Sequence, residues 1–213
     1  MADYSALYSD QPAMTNHWWW RPGWGVGTRF YTWHITQEEN PAVRELAVQY
    51  QRALGSFATL DAVPQEWLHM TMQGVGHVSD LPSMAVDSVI DAVANRVSGI
   101  VPINTVYQRA HVFREAVALP PSSPERFAEL RLAVRAGIAD AIGTCPEDEA
   151  GYRPHVSVAY SNDDADAAPI RSALDKARAD AAPATYSKIS LIVINRDHRM
   201  YKWDTVAEVS LGH

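Results

Sequence analysis

Two short segments of the chain combine a histidine with a hydroxyl residue at the same spacing. They are His69-Met70-Thr71-Met72 and His155-Val156-Ser157-Val158, so each has the order histidine, apolar, hydroxyl, apolar. In an extended strand successive side chains lie on opposite faces, so the histidine and the hydroxyl share one face while both apolar residues bury on the other. Since the chain has eight histidines, two such segments have a chance probability of about 0.02, which favours a common function.

Two imidazoles and two hydroxyls around one volume are suited to acid–base chemistry on a phosphate ester. Imidazole titrates near neutral pH, so one histidine can accept a proton while the other donates one. Hydroxyls donate hydrogen bonds to anionic oxygens and stabilise charge that develops at a phosphoryl centre. The favoured reaction is in-line attack of water on a phosphodiester, above all a strained cyclic one. Which of His69 and His155 is the acid stays open. Neither motif contains an Asp or Glu that would complete a metal site, so we expect no metal and no other cofactor.

The strands that carry these motifs occupy the same place in a repeated order of elements. For the first half, periodicity and turn residues predict a strand at 28–36, a helix after Asn40 that ends at Gly55, a strand at 67–73, a helix at about 83–98 and a strand at about 100–108. For the second half they predict a strand at about 110–119, a helix at about 124–142, a strand at 155–160, a helix at about 169–180 and strands near 186–194 and 200–210. Each half therefore runs strand, helix, strand, helix, strand, and one further strand closes the chain.

This duplication predicts an α+β fold in which two lobes face each other across a cleft. We expect two antiparallel sheets flanked by helices, with residues 28–213 as one domain of intertwined lobes whose halves are about 28–108 and 109–211. Residues 1–27 form a separate irregular segment that holds four of the seven tryptophans, at positions 18, 19, 20 and 24. This segment is either an apolar strap that seals one lobe or a lid that stacks a nucleobase.

Composition and charge exclude several classes of protein. Apolar residues make up 47% and charged residues 20%, which is enough for a globular core. The chain has no apolar run that could span a membrane, and its first ten residues are polar and acidic, unlike a secretory signal. A single cysteine, Cys145, suits a reducing compartment, so we expect a cytoplasmic monomer. The net charge of −7 argues against an extended nucleic-acid-binding face but allows a local pocket for a small anionic group.

The motifs and their flanks resemble the two-histidine phosphoesterase superfamily, in particular its branch of 2′-5′ RNA ligases and RNA 2′,3′-cyclic phosphodiesterases. The resemblance covers about residues 28–211 and rests on Trp67-Leu68-His69-Met70-Thr71-Met72-Gln73-Gly74-Val75-Gly76 and Tyr152-Arg153-Pro154-His155-Val156-Ser157-Val158-Ala159-Tyr160. It implies a bilobal, pseudo-twofold α+β fold with a central cleft. It also implies hydrolysis of a 2′,3′-cyclic phosphate to a 2′-phosphate, in some members with reversible 2′-5′ ligation of RNA ends. By the motif match, His69 and His155 would be the acid–base pair, and Thr71 and Ser157 would bind phosphate.

Four further residues are weaker candidates for substrate binding. His34 belongs to a near copy of the motif, and Arg153 lies two residues before His155, where a guanidinium could pair with phosphate. Arg21 accompanies the tryptophans and is a natural phosphate contact if that segment forms a lid. Tyr160 falls on the opposite face of a regular strand from His155, so core packing competes with base stacking. Four other histidines, at positions 17, 77, 111 and 198, have no comparable context and are expected at ordinary surface or core positions.

The sequence thus favours a metal-independent phosphodiesterase that acts on RNA termini or small nucleotides carrying a 2′,3′-cyclic phosphate. One alternative is an enzyme of the same fold that processes a small metabolite phosphodiester, with the tryptophan segment shaping its pocket. The other is a non-catalytic module that binds nucleotides or RNA ends. The acidic net charge favours a small substrate over long RNA, whereas two proton-transfer groups argue against binding alone.

Overall fold

The chain folds into strands and helices in nearly the predicted order. The computed structural model describes residues 8–147 and 150–212, so the first seven residues of the N-terminal segment lie outside the described residues. The helices are α1 (Pro41–Leu54), α2 (Ser83–Val97), α3 (Pro124–Ile142) and α4 (Ala167–Lys176). The strands are β1 (Ala13–Met14), β2 (Phe30–Thr36), β3 (Leu60–Ala62), β4 (His69–His77), β5 (Ile103–Tyr107), β6 (His111–Val112), β7 (Ala116–Leu119), β8 (Val156–Ser161), β9 (Ala165–Asp166), β10 (Ala182–Tyr186), β11 (Lys188–Asn195) and β12 (Lys202–Ser210).

Most of these strands form two four-stranded antiparallel sheets. Sheet I has the order β12-β11-β2-β4, and sheet II has the order β3-β8-β7-β6. Each sheet combines strands from both halves of the chain, because β11 and β12 join β2 and β4, whereas β3 joins three strands of the second half. Strand β1 pairs with β9, and β10 pairs with β5, in two short antiparallel ribbons. The predicted α+β class with two antiparallel sheets is confirmed.

A pair of helices covers one face of each sheet. Helices α2 and α3 pack together and contact β12 and β4 of sheet I, while α1 and α4 pack together and contact β8 and β6 of sheet II. The apolar positions that predicted α1 are all buried: Val43, Leu46, Ala47, Tyr50 and Leu54. Those that predicted α3 are buried as well: Phe127, Leu130, Val134 and Ile138. The uncovered faces of the two sheets are left to line a cleft.

The ends of α1 differ in detail from the sequence prediction. Asn40 precedes the helix, but its side-chain oxygen accepts a hydrogen bond from the backbone amide of Thr185 at 3.2 Å instead of capping the first turn. Gly55 ends the helix with φ −62°, in the right-handed region that any residue adopts. Contacts with β10, which contains Thr185, therefore replace the expected local cap.

Other element boundaries move where turns interrupt the pattern. Strand β4 begins at His69 and not at residue 67, because Gln65–Trp67 form a 3-10 turn, and it continues through Gly74. The strand predicted at 110–119 is divided into β6 and β7. Helix α4 begins before the predicted residue 169, because the carboxylate of Asp166 accepts a hydrogen bond from the second amide of the helix at 2.9 Å.

Helices α2 and α3 approach each other closely at one glycine. A Cβ at Gly137 of α3 would lie 2.7 Å from the Cα and 2.8 Å from the backbone nitrogen of Val93 in α2. Backbone atoms of a packed helix cannot move aside as the end of a flexible side chain can. This contact therefore fixes the spacing of the helix pair behind sheet I, the sheet that carries the first motif.

Gly137→Ala is expected to destabilise the fold by about 1–2 kcal/mol, because the added methyl group must push α2 away from α3. The clash outweighs the gain of about 1 kcal/mol that alanine brings inside a helix. Urea unfolding measures the difference. Gly99→Ala is the matched control, since a Cβ there has nothing within 4 Å. A Gly137→Ala variant that is more stable than Gly99→Ala by the full helix-propensity gain of about 1 kcal/mol would show that the helices separate without cost.

Candidate functional site

Each motif contains a β-bulge at its fourth residue. In sheet I the residues on either side of Met72 pair with neighbouring residues of β2, so Met72 itself has no partner in that strand. In sheet II Val158 is left out in the same way between β8 and β7. A bulge re-aims the side chains around it and increases the local twist. The two motifs therefore match in backbone geometry as well as in sequence.

The structure brings the four polar residues of the motifs to one volume. The apolar residues of both motifs are buried: Met70, Met72, Val156 and Val158. His69 and Thr71 of β4 line a cleft of about 540 Å³ together with Ser157 of β8 and His155, which immediately precedes β8. Sheet I thus supplies one imidazole and one hydroxyl to this cleft, and sheet II supplies the others.

A backbone carbonyl fixes the tautomer of each motif histidine. His69 Nδ1 donates to the carbonyl of Trp67 at 2.8 Å, and His155 Nδ1 donates to the carbonyl of Arg153 at 2.6 Å. A carbonyl can only accept, so Nδ1 carries the proton in both rings. Nε2 is then the nitrogen left to exchange a proton with a ligand. In both motifs the carbonyl belongs to the residue two positions before the histidine.

Burial keeps both motif imidazoles neutral at pH 7. Desolvation is the main cause that lowers the pKa of His69 to about 4, and positive charge on His155 or His17 acts in the same direction. Desolvation also lowers the pKa of His155 to about 4, and the Arg153 guanidinium adds to the effect. An anion in the cleft would favour the protonated ring and raise the pKa of the imidazole that it contacts.

A third imidazole supports the first motif. His34 is 1% exposed, and its ring stacks on that of His69 with the centroids 4.4 Å apart and the planes within 5°. Its Nε2 lies 3.2 Å from Oγ1 of Thr71, the residue directly opposite on β4. Nδ1 of His34 is buried and has no hydrogen-bond partner among the described residues. A proton on Nδ1 would be a buried donor without an acceptor, so the proton belongs on Nε2, which donates it to Thr71. The hydroxyl proton of Thr71 is thereby left to donate into the cleft.

The bulge at Val158 changes the position of Tyr160. Strict alternation places Tyr160 on the face opposite Ser157, but the extra residue between them returns the Tyr160 side chain to the cleft, which Ser157 also lines. Tyr160 is buried, and its ring stacks on that of His17 with centroids 4.3 Å apart. The expectation that Tyr160 faces away from the motif was wrong, because residue types alone do not reveal the bulge.

A closed ring of hydrogen bonds joins the N-terminal segment to both sheets. His17 donates from Nδ1 to the Glu115 carboxylate and accepts at Nε2 from the Tyr201 hydroxyl, both at 3.0 Å. Arg21 donates to the Tyr201 hydroxyl and to the Glu115 carboxylate, both at 3.1 Å. Glu115 precedes β7 of sheet II, and Tyr201 precedes β12 of sheet I, so the four residues bridge the cleft. We call them the rim ring.

The charge states of the rim ring fit its hydrogen bonds. Burial raises the pKa of Glu115, but hydrogen bonds from His17 and Trp19 outweigh it and lower the pKa to about 2. Burial lowers the pKa of His17. The carboxylate is therefore ionised and the imidazole neutral at pH 7, which lets His17 donate to Glu115 while it accepts from Tyr201.

A second set of contacts holds the N-terminal segment over the cleft. The indole of Trp18 donates to the Asp61 carboxylate of β3 at 2.8 Å. The buried Arg196 guanidinium donates to the carbonyl of His17 at 2.8 Å and lies 5.5 Å from the centre of the Trp18 ring. The segment contacts both sheets, and so it closes the rim between them instead of sealing a single lobe.

Arginines outnumber carboxylates along the cleft. Its charged lining side chains are Arg21, Arg114, Arg153, Arg196, Glu115 and Glu147. With neutral histidines, the described lining residues comprise four positive and two negative groups, an excess of positive charge among them in a chain of net charge −7. The Arg153 guanidinium lies 4.9 Å from the centre of the Phe113 ring, which packs in a T-shaped arrangement with the ring of His155. The cleft is therefore suited electrostatically to a small anion.

Sequence reasoning missed the residues that complete the rim. His17 was expected at an ordinary position, and nothing singled out Glu115, Tyr201 or Arg196. The partners of His17 are 98 and 184 residues away along the chain, so no local pattern marks them. The placement of His17 and Arg21 on either side of three tryptophans was the one available signal.

Residues 8–147 and 150–212 contain neither a cluster of metal ligands nor a helix that could span a membrane. No three His, Cys, Asp or Glu side chains gather there as metal ligands would. None of the helices in these residues combines the length and apolarity needed to cross a bilayer. That the protein acts without a metal stays a prediction, which an activity assay in the presence of a chelator tests.

Comparisons with known proteins agree with the fold and identify a family. Residues 39–198 match the family model of the 2′-5′ RNA ligase superfamily. Among solved structures, TT0787 of Thermus thermophilus has a TM-score of 0.66 at 16% identity, over 86% of this chain and 99% of that protein. LigT of E. coli in complex with 3′-AMP has a TM-score of 0.63 at 14% identity, over 87% of this chain and 99% of LigT. A conserved protein of unknown function from Agrobacterium tumefaciens has a TM-score of 0.57 at 18% identity, over 97% of this chain and 99% of that protein. No curated protein sequence matches the chain.

His34→Leu is expected to weaken the binding of inorganic phosphate about three- to tenfold, because Thr71 loses the donor that leaves its own proton free. His34→Gln should retain most of the affinity, since its amide can donate from the position of Nε2. NMR titration with phosphate measures both. In a Thr71→Val background, His34→Leu should weaken phosphate binding little further. A full effect in that background, or a Gln variant as weak as the Leu variant, would contradict the role given to His34.

The free energy of unfolding is expected to fall as the pH drops from about 6.5 to 4. His69 and His155 have a pKa near 4 in the folded chain, below the 6.5 of an unperturbed histidine, so the unfolded state binds more protons in this window. Each histidine contributes a loss of about 1–3 kcal/mol, which His155→Gln should remove for its own site. Urea unfolding at several pH values measures this. An unchanged slope for His155→Gln would refute the assignment.

Proposed function

This chain belongs to the 2′-5′ RNA ligase superfamily, and on that premise we propose that it is a phosphodiesterase that hydrolyses 2′,3′-cyclic phosphates to 2′-phosphates. The observation that carries the proposal is the matched presentation of two imidazoles. His69 and His155 each have Nδ1 tied to a backbone carbonyl, and both line one cleft beside a hydroxyl. This arrangement supports proton transfer on both sides of one phosphorus atom.

In the proposed reaction, the neutral imidazole of one motif takes a proton from water as the water oxygen attacks phosphorus. The other imidazole becomes protonated when the anionic ester binds, because the negative charge raises its pKa. It gives that proton to the 3′ oxygen of the ribose as the bond from phosphorus to this oxygen breaks, and the phosphate stays on the 2′ oxygen. Thr71 and Ser157 donate hydrogen bonds to the non-bridging oxygens as charge builds on them.

The same groups can serve ligation. If the 5′ hydroxyl of a second RNA end takes the place of water, its attack on the cyclic phosphate forms a 2′-5′ linkage and releases the same 3′ hydroxyl. The proton again passes to one imidazole, and the other imidazole again supplies one. The proposal therefore includes ligation as a side reaction that depends on the concentration of RNA ends.

The rim ring supports a nucleotide or a chain end as substrate. It links the two sheets across the rim, so a strand of RNA that entered the cleft would meet an obstacle there. A volume of about 540 Å³ lies in the range of small-molecule sites. LigT of E. coli, which shares the fold, has been crystallised with 3′-AMP, NADP+ and ATP. These observations favour short or terminal substrates over internal positions of long RNA.

Nucleoside 2′,3′-cyclic phosphates are expected to be hydrolysed in the presence of EDTA. His69→Ala and His155→Ala should each lower kcat/KM by about 10²- to 10⁴-fold, because each removes one proton-transfer group. Thr71→Val and Ser157→Ala should each lower it by about ten- to hundredfold, because each removes one hydrogen bond to a charged oxygen. Chromatography of the nucleoside monophosphate products measures the rates and identifies the 2′ isomer.

His198→Asn controls for the replacement of an exposed histidine and should leave the rate unchanged. Hydrolysis that survives both alanine variants would overturn the roles of His69 and His155. Tight binding of cyclic phosphates without turnover would favour a binding module. Turnover of non-nucleotide phosphodiesters alone would favour the metabolite enzyme, which the enclosed rim also accommodates, and a strong preference for long RNA would contradict the short substrate.

A further inference from the structure

One end of the cleft has an aromatic and apolar wall. Trp24 and Phe30 line the cleft, and their ring centroids are 5.3 Å apart. Ile194 of β11, directly opposite Phe30 of β2, lines it as well. Flat apolar surface of this kind is what a nucleobase stacks on, whereas a phosphate gains nothing from it.

A carboxylate stands beside this wall. Oε2 of Glu147 accepts hydrogen bonds from Nε2 of Gln73 at 3.2 Å and from the amide of Gly74 at 3.3 Å. Oε1 of Glu147 has no hydrogen-bond partner among the described residues. Arg135 of α3 donates to Oε1 of Gln73 at 2.8 Å and to the backbone carbonyl of Glu147 at 3.1 Å. Glu147 is thus anchored through its backbone and through one of its two carboxylate oxygens.

Gly74 provides the space for this carboxylate. A Cβ at position 74 would lie 2.6 Å from Oε1 of Glu147 and 2.9 Å from Cε1 of Phe30. The free oxygen and the edge of the aromatic ring therefore lie side by side above the same glycine. Glu147 has φ +65°, in the left-handed region that favours glycine, so its placement costs about 1 kcal/mol of backbone energy.

The distance from the motif fits one nucleotide. Gly74 lies three residues after Thr71 on β4, which would place the two residues on opposite faces of a regular strand. The bulge at Met72 brings Gly74 onto the same face as Thr71, the face toward the cleft. Three residues of strand span roughly 10 Å, so a phosphate held at Thr71 would place its own base, and not that of a neighbour, near Gly74. Thr32, opposite Gly74 on β2, also lines the cleft there.

We propose that Phe30, Trp24 and Glu147 form a subsite for the base of the substrate, and that Glu147 selects guanine. A carboxylate only accepts hydrogen bonds. Guanine presents two adjacent donors, N1–H and the 2-amino group, and it can give both to one carboxylate. Adenine, cytosine and uracil each place an acceptor next to their donor, which the carboxylate repels. A negative side chain in a cleft for an anionic ester weakens binding unless it contacts another part of the ligand, and guanine supplies that contact.

This inference rests on the proposed hydrolysis. The test compares kcat/KM for the four nucleoside 2′,3′-cyclic phosphates and for the inosine analogue, which lacks the 2-amino group. The guanosine compound is expected to exceed the other three by about ten- to hundredfold. The inosine compound should fall between guanosine and the rest.

Two variants test the Glu147 carboxylate, one by removing its charge and the other by displacing it. Glu147→Gln should reduce the guanosine rate to the level of the others and change those by less than about threefold. Gly74→Ala keeps Glu147 but displaces its carboxylate, so it should also abolish the preference for guanosine. Glu38→Gln, at an exposed position, is the matched control and should change nothing.

Equal rates for the four bases, or an equal loss for all four in Glu147→Gln, would overturn the guanine subsite while leaving the hydrolysis intact. If no nucleotide is hydrolysed, calorimetric binding of the four nucleoside 3′-monophosphates separates the two failures. A preference for guanosine 3′-monophosphate that Glu147→Gln removes would then support the subsite and refute only the reaction.

Discussion

The hydrogen bond from Nδ1 of His69 to a main-chain carbonyl, with its counterpart at His155, is the constraint on which the cleft depends. Each bond contributes only about 1 kcal/mol to stability. Its larger effect is to select one tautomer and one ring orientation, and so to decide which nitrogen meets a ligand. The acceptor lies two residues upstream of the histidine in both motifs. The extended backbone that creates the alternation of side chains therefore also supplies the group that orients the ring.

The surroundings of the two imidazoles keep these rings unprotonated, while the cleft as a whole still attracts anions. Burial disfavours positive charge on the imidazoles, while permanently charged guanidinium groups carry the positive potential of the cleft. Glu115 pairs with Arg21 inside the rim ring, and the other lining arginines, at positions 114, 153 and 196, contribute further positive charge to the cleft. A ligand that brings negative charge thus changes the protonation of the site as it binds.

The features that could be predicted from sequence are those encoded by neighbouring residues. The boundaries of α3 followed from its apolar spacing, and the two motifs followed from strand alternation. The bulges at Met72 and Val158 leave no compositional trace, which is why Tyr160 was assigned to the wrong face. The rim ring joins residues up to 184 positions apart, and Glu147 reaches the cleft only because a distant strand has a glycine at position 74. Such contacts belong to the tertiary fold and have no local signature.

The exchange of strands between the halves has a consequence for synthesis. Strand β2 lies between β4 and β11 in sheet I, yet β11 begins about 150 residues after β2 ends. At about 5–20 residues per second, translation leaves that edge of β2 without its neighbour for roughly 8–30 seconds. An unpaired apolar strand is a template for wrong pairing with other chains. A nascent chain of this protein therefore cannot complete sheet I or the cleft beside it until β11 has left the ribosome, and until then β2 has to be kept from pairing with other chains.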